Sequence, residues 1–539
     1  MVGASVLSFL AAAILTAYLV YRAGSRVVPV GVLLVSLTVA GVSWSRLRRR
    51  AAWNGAEMIA FGSIVTTIFA WLLWVARPNL LPVGGGVDLA HHMVLVHYIA
   101  RQWQLVYDPS LVPYLGDMIF YTPGSHLLFA LAGSWLRVDV FQAIHPVLAL
   151  TVALKSGFVF LVALRLLPRD ASRVPLALTA VLLLFLPLHY FFGSFTHDSF
   201  WAQVVAELFA CAMWWALVVW DERPSLASMF LYGVAGATTF IIWPIWIGPL
   251  VIVFLAVVGL RNGLSFKERL MHLAVGLVPI ATVGAVHTVG RLQWLRMAAT
   301  SGAAIHPSPS VFGWAFLVPA VLGLLLLASR REGRATTLLV GAIALQASVL
   351  FVVAKAYGAD TPYMAYKMMY LTIYPLAAAG SVASGELCRR ASRAIGGRLA
   401  QTPRPAWAVA VLLGLFIARH VSAAPPPKPI VAESVYLAGS WARAHVDPAC
   451  VDYLVADGNT GYWLHLAVLG NPRPTRRMAD KDTFEPKKAV IRWLYPGGLP
   501  FAIVGDVNAL PRDVRDNFDV LARFGSSAVV KRRGPFSCS

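Results

Sequence analysis

Apolar residues recur through residue 421 in runs of about 17 to 25, each bracketed by polar or basic positions. A bilayer core of about 30 Å asks that length of a spanning helix. The runs read as thirteen spans at 3–22, 27–45, 55–76, 139–164, 174–193, 199–220, 226–243, 245–260, 271–290, 312–329, 336–354, 364–386 and 406–421. The first run does not read as a cleaved signal peptide, because it lacks a basic start and carries Tyr18, Tyr21 and Arg22 where small residues should precede cleavage.

Basic residues follow every even-numbered span: Arg46, Arg48, Arg49 and Arg50 after the second, Arg165, Arg169 and Arg173 after the fourth, and Arg223 after the sixth. Arg261, Lys267 and Arg269 continue the series, then Arg330, Arg331 and Arg334, and finally Arg389, Arg390, Arg393 and Arg398. The positive-inside rule then puts the N-terminus in the cytoplasm and the C-terminus outside. The count depends on 226–260 folding back at Trp243-Pro244; one long helix there would invert everything downstream.

After Arg419-His420, the stretch Ala423-Ala424-Pro425-Pro426-Pro427 reads as a short stiff linker. The expected layout is a membrane domain over 1–421 with an outer loop at 77–138, a linker at 422–428, and a small extracytoplasmic α/β domain over 429–539. Strands are expected at 451–456, 501–505 and 527–531, with helices near 432–445, 459–469 and 511–522.

Composition supports a membrane class: of 539 residues, 58% are hydrophobic and 13% charged, about half the charge of a soluble domain. The formal charge of +20 is absorbed by the loop pattern, and no basic-aromatic nucleic-acid module appears. Of four cysteines, Cys450 and Cys538 alone lie in the C-terminal domain; facing an oxidising compartment they can form one disulfide, or stay as two thiols.

The loop at 77–138 is long and neither polar nor repetitive, so it is expected to be folded and functional. Gly84-Gly85-Gly86 lets the chain turn sharply into Asp88, which heads a helix carrying His91, His92 and His97. Asp88 there is either a helix cap or a catalytic group. Met93, Val96, Ala100 and Trp103 recur at helical spacing, predicting a helix along the membrane surface. Tyr121-Thr122-Pro123-Gly124-Ser125-His126 then opens another helical segment.

A spanning helix, an outer loop with an early Asp, a surface helix with His, and Tyr-x-Pro-Gly-x-His resemble the bacterial GT-C membrane glycosyltransferases. That superfamily includes protein mannosyltransferases, aminoarabinose transferases and mycobacterial arabinofuranosyltransferases. The resemblance covers about residues 55–385 as architecture and the loop as motif. It implies an inverting transferase on the outer face of the bacterial cytoplasmic membrane. The enzyme would move a sugar from a polyprenyl-phosphate donor to an envelope glycan, lipid or protein acceptor. Asp88 would be the catalytic base. Many members carry a second acidic residue beside it, whereas here the neighbours are Val87 and Leu89. Asp88, His91 and His92 can alternatively hold a divalent cation such as Mg or Mn.

The donor phosphate calls for a cation at the outer membrane boundary. Lys367 lies about one turn inside an apolar helix, where an uncompensated charge costs on the order of 3 kcal/mol. It matches the basic residue that GT-C enzymes present to the lipid phosphate; snorkelling to headgroups is the plainer account. Lys355, Arg291 and Arg296 are secondary phosphate candidates. His91, His92, Tyr121, His126, His197, Asp198, Gln203 and Tyr363 are candidate substrate contacts on the same side. Tyr462 and Trp463 offer either a glycan-holding surface or the core of the C-terminal domain. A flippase of lipid-linked glycans and a non-catalytic envelope scaffold are the competing classes.

Overall fold

The computed structural model describes residues 2–48, 55–84, 87–104, 109–170, 172–289, 300–302, 304–394, 403–423, 432–472, 484–495 and 498–538. Among these, eight helices are long and apolar enough to cross a membrane: Val2–Arg22, Pro29–Arg46, Gly55–Val75, Val140–Leu166, Trp201–Glu222, Phe266–Thr288, Arg331–Ala356 and Arg404–Ser422. Shorter apolar helices at Arg173–Leu183, Leu226–Ile242, Pro244–Gly259 and Trp314–Ala328 add to them, as does Ile373–Ala394. The chain is a multi-pass helical membrane protein with a small C-terminal sheet.

The turn at Trp243-Pro244 decides the topology, and it folds back. Tyr232 stacks on Phe254 with ring centroids 4.7 Å apart, and its hydroxyl donates to the Leu250 carbonyl at 2.8 Å. A continuous helix would hold those two rings about 33 Å apart. Proline lacks the N–H the helix would need there and pushes Trp243 out of the helical region, to φ −153°.

Two expected spans are broken. The run at 174–193 stops being α-helical at Leu183 and re-forms as a π-helical turn over His189–Gly193, with Pro187 between. The run at 364–386 divides into Tyr363–Tyr370 and Ile373–Ala394. Both breaks leave polar side chains at the same end of the bundle.

Cover from both sides also changes the role of the loop helix, α1 (Val87–Gln102). Leu89 through Val96 are all buried, Met93 and Val96 completely. It is a packed helix under the C-terminal unit, where a helix lying on the lipid surface was expected. Its single apolar stripe marks one buried face and carries no sign of the second partner.

In the C-terminal unit, β1 (Val451–Leu454) pairs in parallel with β2 (Phe501–Val504). β2 pairs antiparallel with β4 (Ser527–Arg532), which closes a hairpin with β3 (Phe518–Phe524), giving the order β1-β2-β4-β3. The helix expected over 511–522 is confined to Arg512–Arg515. From Phe518 onward the chain is edge strand β3, because Gly525 at φ +60° makes the two-residue hairpin turn that an L-residue resists. Cys450 and Cys538 are disulfide-bonded, their Cα atoms 5.1 Å apart. The Pro-rich linker from Ala424 lies outside the described residues.

Candidate active site

The glycine turn sets the position of Asp88. Gly84 has φ +132°, and a Cβ there would stand 2.4 Å from Ser199 Oγ and 3.2 Å from the Phe195 carbonyl. Only glycine lets the loop cross so close to the turn that carries His197 and Asp198. Asp88 is then the second residue of α1, exposed, and favoured by the positive end of the helix.

Across from it, Lys367 is 5% exposed on the short helix α2 (Tyr363–Tyr370). Its ammonium sits 3.7 Å from the Phe200 ring centroid, 4.4 Å from Tyr363 and 5.0 Å from Trp243. No carboxylate or carbonyl among the described residues is within its hydrogen-bond reach. Asp88 and Asp198 are the carboxylates whose charge acts on it. Three aromatic faces compensate a buried cation only in part.

Asp198, at the rim, lies 3.3 Å from His189 Nε2 and accepts from the Tyr370 hydroxyl at 3.4 Å. A second carboxylate from a distant turn thus acts on Lys367 together with Asp88. The strained residue in that turn is Ser199, at φ +56°.

Beneath Asp88, the imidazoles are committed to one another and to aromatic rings. His92 Nδ1 is 2.9 Å from His126 Nε2, and the His92 ring stacks between His126 and Trp201. Tyr121 packs edge-on against both. Burial, with the charge of Lys367 adding, holds His92 down to about 3, and burial holds His126 well below the usual imidazole range. Both rings are neutral spacers. Burial, followed by the charges of Tyr363 and Asp88, pushes the Tyr121 phenol up.

His91 turns the other way, its Nε2 2.9 Å from the Tyr462 hydroxyl, while Trp463 Nε1 donates to Met93 Sδ. Tyr462 and Trp463 are 1% and 2% exposed, so they bind the C-terminal unit to α1 and are not a glycan-holding surface. With His91 and His92 committed in opposite directions, Asp88, His91 and His92 do not fit a divalent ion as a set. Among the described residues the grouping close enough to share one is Asp447, Cys450 and Cys538, whose sulfurs are bonded together.

Two of the other expected residues, Lys355 and Gln203, fall away from this centre. Lys355 is exposed, and its ammonium donates to the carbonyls of Ala359 and Asp360 at 3.1 and 2.6 Å, capping its own turn. Gln203 is 1% exposed, buried within the bundle one turn before Glu207. His197 is exposed beside Asp198. Arg291 and Arg296 lie outside the described residues. Sequence reasoning missed His189, Tyr370, Phe200 and Trp243. A Pro-Leu-His-Tyr interruption inside an apolar run, at 187–190, was the available signal for the first.

No protein-family model matches the sequence, and no curated protein sequence does. Solved structures do match. The chain overlays the arabinofuranosyltransferase AftD from Mycobacteria with a TM-score of 0.54 at 15% identity, over 90% of this chain and 42% of that one. The chain has the GT-C membrane fold. ArnT from Cupriavidus metallidurans, bound to undecaprenyl phosphate, gives 0.48 at 13% identity, over 90% of this chain and 100% of that one. The Archaeoglobus fulgidus oligosaccharyltransferase in its apo form gives 0.45 at 13%, over 83% and 70%. This GT-C chain therefore spans less than half the length of AftD.

Proposed function

We propose that this chain is an inverting glycosyltransferase. It moves a hexosyl or pentosyl group from a polyprenyl-phosphate donor to an envelope glycan, lipid or protein acceptor. The reaction takes place on the outer face of a bacterial cytoplasmic membrane, with the N-terminus cytoplasmic and the C-terminal unit extracytoplasmic. One observation carries the reading: Lys367 is buried against three aromatic rings without an ionic partner among the described residues, and Asp88, exposed at a helix start, and Asp198 are the carboxylates whose charge acts on it.

The step is a single displacement. The acceptor hydroxyl oxygen attacks the anomeric carbon as its proton passes to the Asp88 carboxylate; the bond from that carbon to the phosphate oxygen breaks on the opposite side. The leaving polyprenyl phosphate keeps the electron pair, and Lys367 meets its charge. Charge stabilisation of this kind is the larger electrostatic contribution, and general-base help adds about 10² to 10⁴ in rate. In this reading Asp198 and exposed His197 hold sugar hydroxyls. Tyr121 and Tyr363 flank them.

The test is transfer of radiolabelled sugar from polyprenyl phosphate by purified protein. Asp88→Asn should lower the rate by about 10² to 10⁴ with unfolding unchanged. Normal turnover by that variant rejects the base assignment; absence of transfer by the unaltered protein to glycan, lipid and protein acceptors rejects the transferase reading.

A further inference from the structure

At the far end of the bundle, a second charged concavity has no part in the proposed transfer. Trp201 opens its spanning helix beside His92, and Asp221 and Glu222 close it about twenty residues later, about 30 Å away. Around them four loops enclose a pocket of about 610 Å³ lined by seven arginines against three carboxylates.

The arginines divide into two sets. Four of the seven are ion-paired: Arg165 with Glu222 at 2.8 Å, Arg173 with Glu57 at 2.8 Å, Arg261 with Asp221 at 2.7 Å and Arg330 with Glu386 at 4.0 Å; Asp221 is also shared by Arg334, from outside the lining, at 3.0 Å. These pairs tie the helix ends together and build the walls. Arg169, Arg223 and Arg331 come from three different loops and have no ion pair among the described residues. Topology alone requires arginines on these loops, but not that three unpaired ones converge on one cavity where Asp221 and Glu222 are already taken and Glu332 is the one carboxylate without an ion pair among the described residues. Leu166, Leu167 and Val218, each 4% exposed, add apolar wall beside them.

We propose that this pocket binds the phosphodiester headgroup of an anionic phospholipid from the leaflet opposite the transfer site. The lining sits at the helix ends, at headgroup depth. Its charge is complementary to phosphate, and its apolar wall suits the glycerol backbone. Basic pockets between spanning helices hold such headgroups. The site lies outside the donor centre, so it stands whether or not the transferase reading does.

The experiment is native mass spectrometry of the full chain released from nanodiscs of phosphatidylcholine doped with cardiolipin or phosphatidylglycerol. The variant Arg169→Gln/Arg223→Gln/Arg331→Gln is compared with Arg46→Gln/Lys267→Gln/Arg393→Gln, which removes three charges elsewhere. At about fivefold per arginine, the pocket variant should bind anionic lipid on the order of a hundredfold more weakly, while the other retains it. Equal retention by both variants, or equal loss from both, overturns the site. Inorganic pyrophosphate should bind delipidated protein more weakly than cardiolipin; if it binds as tightly, the lipid assignment fails.

Discussion

Replacing Lys367 with Met separates two effects of opposite sign. The ammonium is 5% exposed and held by the faces of Phe200, Tyr363 and Trp243. Burying a charge in a spanning helix costs on the order of 3 kcal/mol, and desolvated cation–π contact returns about 2. An unbranched thioether of similar length fills the same slot, so the resting protein should gain about 1 kcal/mol, a rise of a degree or two in unfolding temperature. Transfer should fall about 10² to 10³-fold, because the leaving phosphate loses its charge partner. Lys367→Arg should recover part of that rate, and binding of free polyprenyl phosphate should weaken in the Met variant. Differential scanning fluorimetry and single-turnover transfer read the two effects separately. If the Met variant unfolds several degrees lower, the ammonium is structural; if it transfers at the normal rate, Lys367 does not meet the phosphate.

Gly84→Ala should slow transfer with little effect on global unfolding, since its Cβ meets Ser199 Oγ at 2.4 Å and φ +132° is strained for any side chain; unaltered turnover would refute the close crossing. Lys155 and Glu207, both 0% exposed, form a buried pair between spanning helices. Lys155→Met alone should therefore cost about 3 to 5 kcal/mol, and Lys155→Met/Glu207→Gln much less, measured by a double-mutant unfolding cycle. His92 and His97 are each held down to about 3, mainly by burial, against an unfolded value of 6.5. Their contribution is full above pH 6.5 and is lost as pH falls from there toward 3. Denaturation between about pH 7 and 4 should show that slope, and it should flatten in His92→Phe. Reducing Cys450–Cys538, 88 residues apart, should lower the stability of the C-terminal unit by about 4.6 kcal/mol in a loop-entropy account, seen as faster proteolysis.

How much of this was legible depends on whether a residue's role is local. The spans and the fold-back at Trp243-Pro244 were, because lipid demands long apolar runs and proline breaks them whatever surrounds it. Asp88 and Lys367 stood out as candidates for a related reason: a glycine triplet ahead of an acid, and a charge inside an apolar run, are locally costly features. Asp198 was visible as a polar turn, but not as a second carboxylate whose charge acts on Lys367. That relation is made by Gly84 crossing Ser199, far away in sequence. The same limit explains α1: its stripe predicted one buried face, and the second is covered by Tyr462 and Trp463, which look like binding aromatics until their partners His91 and Met93 are known. His189 was hidden differently, because a π-helical turn within an apolar run re-aims a polar side chain without altering composition. The elements that hold the carboxylates and the ammonium are thus set by local chemistry. Their convergence depends on close approaches of glycine and aromatic residues, and these are the positions at which single substitutions should uncouple activity from stability.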